Sequence, residues 1–374
     1  MKLLNFINQH SDWREILTNA PYNLIIKDDE PYFLLKYDML NSDMSDPLVQ
    51  EARGCIFRFD KEKDCYICVC HPFNKFFNAQ ENNAAEIDWD SAVIYEKIDG
   101  SLIKFWYDLD EWHISTNSTI DAAKAEVESY DGHITFYDLV CSCFKDEKTM
   151  DEFFKYLSVD FTFMFELVSP YNRLVVPYEK TELYFIGSRC MINDKEGIIN
   201  DDSKWFCNMF NIKLPKIYQF KSIDDVLDAA ASLSKLNEGF VVCDRYFNRI
   251  KIKGAEYLRA FRIRGNDKIT QKKVVKAILD GYIDDMIGFF GDMPEIQKTI
   301  NDFKFVEQAF EVSRAAMENY IRAYQLEDRK AIAEYVKQLG DAQGYCFAAL
   351  KNPEITAFEY LKKISVDKVL MLME

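Results

Sequence analysis

Short apolar runs of strand length fill residues 1 to about 254 and place the strongest constraint on the fold. Each run is rich in β-branched and aromatic residues and is bounded by turn-forming residues, which is typical of short strands. The runs are Tyr32–Tyr37, Gly54–Phe59, Val93–Lys97, Leu102–Tyr107, Phe161–Val168, Leu183–Ile186, Phe240–Cys243 and Arg249–Lys253. Helical stretches such as Ile223–Leu236 are fewer. The pattern predicts the α+β class with a mostly antiparallel sheet.

The sequence after Gly254 has helical periodicity instead. Apolar residues recur there at the spacing of one buried helix face, with polar residues between them. The main stripe is Ile296, Ile300, Phe303, Val306, Phe310, Met317 and Tyr320, and a shorter one begins at Val274, Val275 and Ile278. Pro294 and Pro353 stand where helices are expected to begin. We therefore predict two domains, residues 1–254 and an all-helical domain at residues 255–374.

The charge of the chain limits how it could bind nucleic acid. A formal net charge of −16 excludes a uniformly basic coat protein, so an enzyme that handles phosphates would need local clusters of cations. One such basic run is Arg259, Arg262, Arg264, Lys268, Lys272, Lys273 and Lys276. A solvated helix face and a contact with a phosphate backbone both remain open for it.

The ten cysteines are expected to be reduced thiols. Met1 to His10 show no export signal, and no stretch approaches 18 apolar residues, so we expect a cytoplasmic protein without membrane contact. One cluster has the residue types of a zinc site: Cys65, Cys68, Cys70 and His71. It also reads as a strand, and no second ligand pair follows. Core cysteines are favoured over structural zinc.

The segment Glu96-Lys97-Ile98-Asp99-Gly100-Ser101 ends one of the strand-like runs. A lysine at a strand end before Asp-Gly is placed to point into a cleft. Lysine is a nucleophile only when neutral, and burial or a nearby cation lowers the pKa of a lysine from its ordinary value of about 10.4. A lysine on a surface hairpin is the alternative for this motif alone.

Further charged residues interrupt later apolar strands. Glu166 lies within Phe163–Val168, Glu238 precedes Gly239 at a strand start, and alternation puts Lys251 and Lys253 on one strand face. Buried charges are costly unless they are paired or bind a metal. Together these residues indicate one shared polar cleft, whereas salt bridges at sheet edges would explain any single one.

This order of motifs resembles the covalent nucleotidyltransferase superfamily of ligases and RNA capping enzymes. The phage-type RNA ligase 1 family is the nearest resemblance, and it covers roughly residues 30–260. Three further segments resemble elements of that family: Ala52–Phe57, Pro72–Asn78 and Pro170–Val175. The resemblance implies an antiparallel-sheet nucleotidyltransferase domain, similar to ATP-grasp ligases, followed by a helical domain that selects the RNA.

The resemblance also implies an activity. The family joins RNA ends that carry a 5′-phosphate and a 3′-hydroxyl, through lysyl-AMP and an RNA-adenylate, with ATP and Mg²⁺ (Mn²⁺ can substitute). It suggests repair of tRNA in the cytoplasm, which is the host cytoplasm if a phage encodes the chain. A monomer is the default expectation. A DNA ligase, a capping-type enzyme and an inactive RNA- or nucleotide-binding relative are the alternatives.

Residue roles follow from the same resemblance. Lys97, Lys251 and Lys253 are the expected catalytic residues. The expected nucleotide contacts are Arg53, Lys75, Phe77, Glu96, Lys97, Gly100, Asn117, Glu166, Glu238, Lys251, Lys253 and Tyr257. Glu238 and Glu166 are the expected metal contacts, and Arg173 is expected to bind the 5′-phosphate of the RNA. Arg189 is undecided.

One position departs from the family pattern. The family has a Lys or Arg followed by glycine between its nucleophile and its acidic strand, where this chain has Asn117 in Ser115–Thr119. Asn117 can form a hydrogen bond to a ribose or phosphate but supplies no charge. Lys124 is a candidate to supply the missing cation.

Overall fold

The computed structural model describes residues 1–129, 132–172, 176–197, 199–233, 237–254, 270–281, 283, 286–287, 294–325 and 328–373. The chain divides into two compact units, Met1–Arg264 and Gly265–Glu374. The first is built from sheets with helices on them, and the described residues of the second are helical. The α+β prediction is therefore confirmed.

The strands of the first unit are short, as the runs in the sequence predict. They are β1 Leu24–Asp29, β2 Tyr32–Tyr37, β3 Arg53–Asp60, β4 Cys65–Cys70, β5 Phe77–Asn78, β6 Val93–Lys97, β7 Ser101–Asp108, β8 Glu111–Thr116, β9 Glu126–Ser129, β10 Gly132–Thr135, β11 Phe161–Val168, β12 Glu182–Cys190, β13 Glu196–Gly197, β14 Ile217–Tyr218, β15 Gly239–Cys243 and β16 Arg249–Lys253.

In the described part of the chain these strands form three larger sheets and one two-stranded sheet. The larger sheets have the orders β1-β2-β3-β4, β13-β12-β11-β7-β8 and β14-β6-β15-β16-β5, and β9 pairs with β10. Strand pairing is antiparallel except between β16 and β5, which are parallel. The predicted antiparallel character is confirmed.

Helices cover the sheets of the first unit and make up the described elements of the second. The first unit contains α1 Lys2–Gln9, α2 Trp13–Thr18, α3 Pro47–Glu51, α4 Phe136–Ser142, α5 Glu147–Tyr156, α6 Asp201–Met209 and α7 Ile223–Ser232. The second contains α8 Gln271–Asp280, α9 Pro294–Ala323, α10 Arg329–Val336, α11 Gln343–Lys351, α12 Ala357–Lys363 and α13 Val366–Leu372.

Two predicted helix boundaries are wrong. Helix α7 ends at Ser232 rather than near residue 236, because Leu233 takes an extended backbone conformation. Pro353 does not begin a helix. Helix α12 begins at Ala357 behind a capping box in which Thr356 and Glu359 each bond the other's backbone N–H, and Pro353 lies in the preceding loop.

Strand alternation gives the sheet that contains β6, β15 and β16 two different faces. One face packs against helix α7 through a buried apolar cluster made of Ile94, Val226, Ala230, Phe240, Val242, Ile250 and Ile252. The residues between these positions, including Tyr95, Lys97, Val241 and Lys251, therefore lie on the opposite face. Helix α7 thus covers the apolar face of the sheet and does not cover the face that carries Lys97 and Lys251.

The apolar stripe predicted for the second unit lies on one helix. Helix α9 begins at Pro294 as predicted, and it buries Ile296, Ile300, Phe303, Val306, Phe310 and Met317. Tyr320 is partly buried and stacks on Tyr335, with ring centroids 3.9 Å apart. Among residues 270–373, the described ones form no strand, so they do not build the oligonucleotide-binding barrel expected of a DNA ligase or capping enzyme.

The cysteine cluster lies on and directly after β4, where Cys65 and Cys68 are half-buried. Cys70 is fully buried at the end of β4, and His71 Nδ1 lies 2.7 Å from Asp194 Oδ1. Within the described ranges no group of three or more His, Cys, Asp or Glu side chains is arranged to hold a metal ion. No helix among these residues is both long and apolar enough to cross a membrane.

Gly239→Ala is expected to lower the free energy of unfolding by more than about 3 kcal/mol, as severe backbone clashes do. Gly239 has φ +150°, and a Cβ there would lie 2.0 Å from the backbone oxygen of Ile252. Gly254→Ala is the matched control, since its nearest contact is the Leu233 side chain at 3.3 Å. Denaturant unfolding measures both, and equal losses would contradict the steric explanation.

Candidate active site

Three neighbouring strands bring charged residues to one end of a sheet. The register pairs Gly239 at the start of β15 with Lys97 at the end of β6 on one side. On the other side it pairs Gly239 with Lys253 at the end of β16. Glu238, which directly precedes Gly239, therefore lies between two lysines that are 156 residues apart in the sequence.

The carboxylate of Glu238 bridges the two lysines. Lys97 Nζ donates to Glu238 Oε2 at 2.7 Å, and Lys253 Nζ lies 2.8 Å from Glu238 Oε1. Glu238 is 4% exposed and Lys253 is 5% exposed, whereas Lys97 is 20% exposed. Lys97 is thus the member of the three that a ligand reaches most readily.

Glu238 stays ionised in this surrounding. Burial alone would raise the pKa of its carboxyl, but the ammonium groups of Lys253 and Lys97 outweigh burial and hold the pKa below its ordinary value. Two charge-assisted contacts to one carboxylate fix the position of Lys97.

A cavity of about 280 Å³ opens beside these residues. Its volume is near the lower end of small-molecule sites, which are commonly about 300–1,000 Å³. Polar and charged lining residues are Arg53, Tyr95, Glu96, Lys97, Asn117, Glu166 and Arg249. Apolar lining residues include Leu102, Ile186, Pro215 and Val241. The combination suits a ligand with a flat apolar part and a charged part.

Glu166 on β11 reaches the cavity from the second five-stranded sheet. Partial burial raises the pKa of Glu166 to about 7, although the neighbouring charge of Lys97 acts in the opposite direction. Gly100 lies against it, because a Cβ on Gly100 would lie 2.5 Å from the Leu167 backbone oxygen and 2.9 Å from Glu166 Cγ. The glycine permits the loop after Lys97 and β11 to approach this closely.

Asp99 has a structural part in the Lys-x-Asp-Gly segment. It is 3% exposed, and its Oδ2 accepts a hydrogen bond from the backbone N–H of Val176 at 2.7 Å. Its own N–H donates to the Tyr178 hydroxyl at 3.3 Å. Asp99 therefore ties the loop after Lys97 to the segment that follows β11.

Lys75 and Phe77 line a neighbouring cavity rather than the one beside Lys97. This second cavity has a volume of about 420 Å³. Phe76, Phe247 and Arg249 line both cavities. Phe77 is 4% exposed on β5, where it pairs with Ile250. The stacking of Phe77 on a nucleoside stays a prediction.

An ion-pair network stands between the cavities. Glu196 accepts a hydrogen bond from Arg189 Nη2 at 2.7 Å and lies 2.6 Å from Arg249 Nη1. The guanidinium of Arg249 stacks on the ring of Phe73 at 4.0 Å. Arg189 is thus engaged in a buried network beside the site.

Four further expectations are only partly covered by the described residues. Lys124 is exposed, pairs with Asp29 at 2.6 Å and is not among the residues that line the cavity beside Lys97. Arg173 and Tyr257 lie outside the described residues. Of the predicted basic run, Lys272, Lys273 and Lys276 lie on α8, and the other members lie outside the described residues.

Sequence reasoning missed several lining residues. Tyr95 and Val241 are register partners on the charged face of the sheet, and Arg249 precedes Lys251 on the same face. Alternation from Lys97 and Lys251 would have identified Tyr95 and Arg249, whereas Val241 follows only from the pairing of β15 with β6 and β16. No pattern in the sequence around Glu196 or Pro215 would have indicated that these residues lie at the cavities.

Glu166→Gln is expected to change how stability depends on pH. The folded protein binds a proton at Glu166 up to about pH 7, whereas the ordinary pKa is 4.5. The free energy of unfolding of the wild type therefore falls as the pH rises from about 4.5 to about 7, because the unfolded chain releases this proton more easily than the folded protein does. Without nucleotide or metal, the Tm of Glu166→Gln should exceed that of the wild type more at pH 8 than at pH 5. The exposed Glu179→Gln is the control, and a pH-independent difference would contradict the assignment.

Two viral proteins are similar to this chain in sequence. A protein of Autographa californica nuclear polyhedrosis virus, named as a bifunctional polynucleotide kinase/RNA ligase, is 31% identical over 285 residues, covering 72% of this chain and 39% of that protein. An RNA ligase of Rhodothermus phage RM378 is 26% identical over 308 residues, 68% of each chain. The chain thus spans well under half of the baculovirus protein.

A solved archaeal ATP-dependent RNA ligase aligns with 94% of this chain and 81% of its own, at 12% identity and a TM-score of 0.48. The sequence profile of the RNA ligase family matches residues 51–257. That range contains the Lys-x-Asp-Gly segment, the strand of Glu166, the Glu238-Gly239 pair and both lysines of β16, and it is more than half of the chain. This chain belongs to the RNA ligase family.

Proposed function

We propose that this chain is an ATP-dependent RNA ligase that forms lysyl-AMP on Lys97 and joins 5′-phosphate to 3′-hydroxyl RNA ends. The main support for this proposal is that the carboxylate of Glu238 contacts both Lys97 and Lys253 beside a cavity large enough for a small ligand. Family membership supports the reaction class.

The first step requires a held amine and neutralised phosphates. Lys97 loses a proton, and its amine attacks the α-phosphorus of ATP. An N–P bond forms, the bond to the β-phosphate oxygen breaks, and pyrophosphate leaves. Lys251 and Lys253 alternate with Ile252 on β16 and share a strand face with Arg249, which lines the cavity. They would neutralise the α-phosphate, which is the main demand of phosphoryl transfer.

Other charges would hold the rest of the nucleotide. Arg53 lines the cavity with Lys97, and Lys75 lines the adjoining one, so together they suit the β- and γ-phosphates. The nucleoside would lie over Val241 and Tyr95, with Glu96, Gly100 and Asn117 along its edge. Tyr257 would add a phosphate contact.

The acidic residues fit a divalent cation. Mg²⁺ prefers oxygen ligands, keeps several waters and needs one or two protein carboxylates, which Glu166 and Glu238 provide. When bound, Mg²⁺, or Mn²⁺ in its place, neutralises charge on the phosphates. In the described part of the chain Glu166 forms no ion pair. Both oxygens of Glu238 contact lysines, so Glu238 would bind the ion in place of one of these lysine contacts.

The later steps use the same centre. A 5′-phosphate oxygen of RNA attacks the phosphorus of lysyl-AMP, the N–P bond breaks, and Lys97 takes up a proton from solvent and leaves as the amine. A 3′-hydroxyl then attacks the activated 5′-phosphate, loses its proton, and displaces AMP. Arg173 would bind the 5′-phosphate in both steps.

We assign the helical region, residues 255–374, to binding of the RNA, with a tRNA broken in its anticodon loop as the natural substrate. Lys272, Lys273 and Lys276 on α8 support a contact with phosphates in a chain that is otherwise acidic. We further propose that the protein acts as a monomer in RNA repair in the cytoplasm.

Lys97→Ala should abolish labelling by α-labelled ATP, because the methyl group offers no nucleophile. The wild type with Mg²⁺ should carry label on the peptide of Lys97 after a denaturing gel, and acid should release it. Lys204→Ala is the control, since Lys204 is exposed on α6 and pairs with Asp201. A labelled Lys97→Ala protein would refute the lysyl-AMP assignment, and competition by GTP would test base specificity.

The wild type should seal RNA that has 5′-phosphate and 3′-hydroxyl ends. When the 3′ end carries a phosphate, the adenylated RNA should accumulate because the third step lacks its nucleophile. Gel analysis of end-labelled RNA, with a DNA strand of the same sequence beside it, measures both effects. Sealing of 5′-hydroxyl ends without a kinase would contradict the proposed chemistry.

A further inference from the structure

A lysine lies in the core directly behind the cavity. Lys104, on β7, is 0% exposed, and its Nζ donates a hydrogen bond to the backbone oxygen of Gly54. In the described part of the chain this is its one hydrogen bond, and it forms no ion pair there. A buried ammonium with a single neutral partner is costly for folding.

Gly54, whose carbonyl accepts the hydrogen bond from Lys104, lies where two segments that line the cavity come into contact. Gly54 has φ +80°, and a Cβ on it would lie 2.4 Å from the backbone oxygen of Asn117 and 3.1 Å from Lys104 Nζ. The start of β3 is therefore in close contact with Asn117, the residue after β8, and the ammonium of Lys104 lies beside this contact. Asn117 and Arg53, the neighbour of Gly54 in sequence, both line the cavity beside Lys97.

The surroundings of Lys104 offer little compensation for its charge. The neighbouring titratable groups are the thiols of Cys55, Cys70 and Cys68 and the guanidinium of Arg53, and burial lowers the pKa of Lys104. A side chain of similar length without charge would fill the same space at less cost. Replacement of buried charged groups by apolar ones is often neutral or stabilising. The stability of the fold therefore does not explain a lysine at this position.

We propose that Lys104 is a positioning residue of the nucleotide site, which holds the Gly54 carbonyl and thereby sets where Arg53 and Asn117 meet ATP. Its ammonium also places positive charge behind Asn117, which itself carries none. Lys104 does not touch the ligand, because its side chain is fully buried. This inference rests on the proposed ATP-dependent function.

Lys104→Met tests the inference because methionine keeps the length and removes the donor and the charge. The expected result is a Tm equal to or above that of the wild type, with a KM for ATP in lysyl-AMP formation raised at least tenfold and kcat changed less. The Tm increase that ATP induces should shrink in parallel, which gives a readout independent of catalysis. Lys204→Met, on the exposed surface of α6, should match the wild type in all three measurements.

The outcomes separate this inference from the proposed function. If the wild type forms no lysyl-AMP and ATP does not shift its Tm, the proposed function is wrong. If the wild type is active and Lys104→Met keeps its KM within twofold, the positioning role is wrong. A Tm well below that of the wild type would also overturn it, because Lys104 would then serve stability. Lys104→Gln keeps a neutral hydrogen-bond donor, so its KM for ATP should lie between that of the wild type and that of Lys104→Met.

Discussion

The carboxylate of Glu238 is the contact on which the rest of the site depends. It joins the ends of two strands that flank β15 by accepting Lys97 on one oxygen and Lys253 on the other. Neither lysine could be held near the other without a negative charge between them. Gly239 is part of the same constraint, since a side chain there would clash with the backbone of Ile252 and Lys253 and push β16, with Lys253, away from Glu238.

The two faces of this sheet explain how a strongly charged centre is compatible with a stable unit. Residues such as Phe240 and Val242 point toward α7 and are removed from water, which supplies the hydrophobic stabilisation. Their neighbours in sequence point the other way. Lys251 and Val241 therefore share a face by the geometry of the strand, and no additional folding element is required to gather the charges.

Much of this was predictable from the sequence, because strand alternation is a local property. It identified the strands that carry Lys97 and Lys251 and the stripe on α9. It could not show that Lys75 faces a second cavity, because that depends on how β5 pairs with β16. Lys104 was also missed, since its sequence neighbours resemble any buried strand and its partner Gly54 lies 50 residues earlier. The helix start predicted at Pro353 was wrong because proline is common both at helix starts and in the loops before them.

The hydrogen bonds of Asp99 have a consequence for how the loop after Lys97 can move. Val176 and Tyr178 belong to the segment after β11, and Asp99 connects them to the loop two residues beyond Lys97. Because Asp99 is only 3% exposed, separating the loop from this segment would leave a buried carboxylate without these partners. The loop and the segment are therefore expected to move together as one rigid piece.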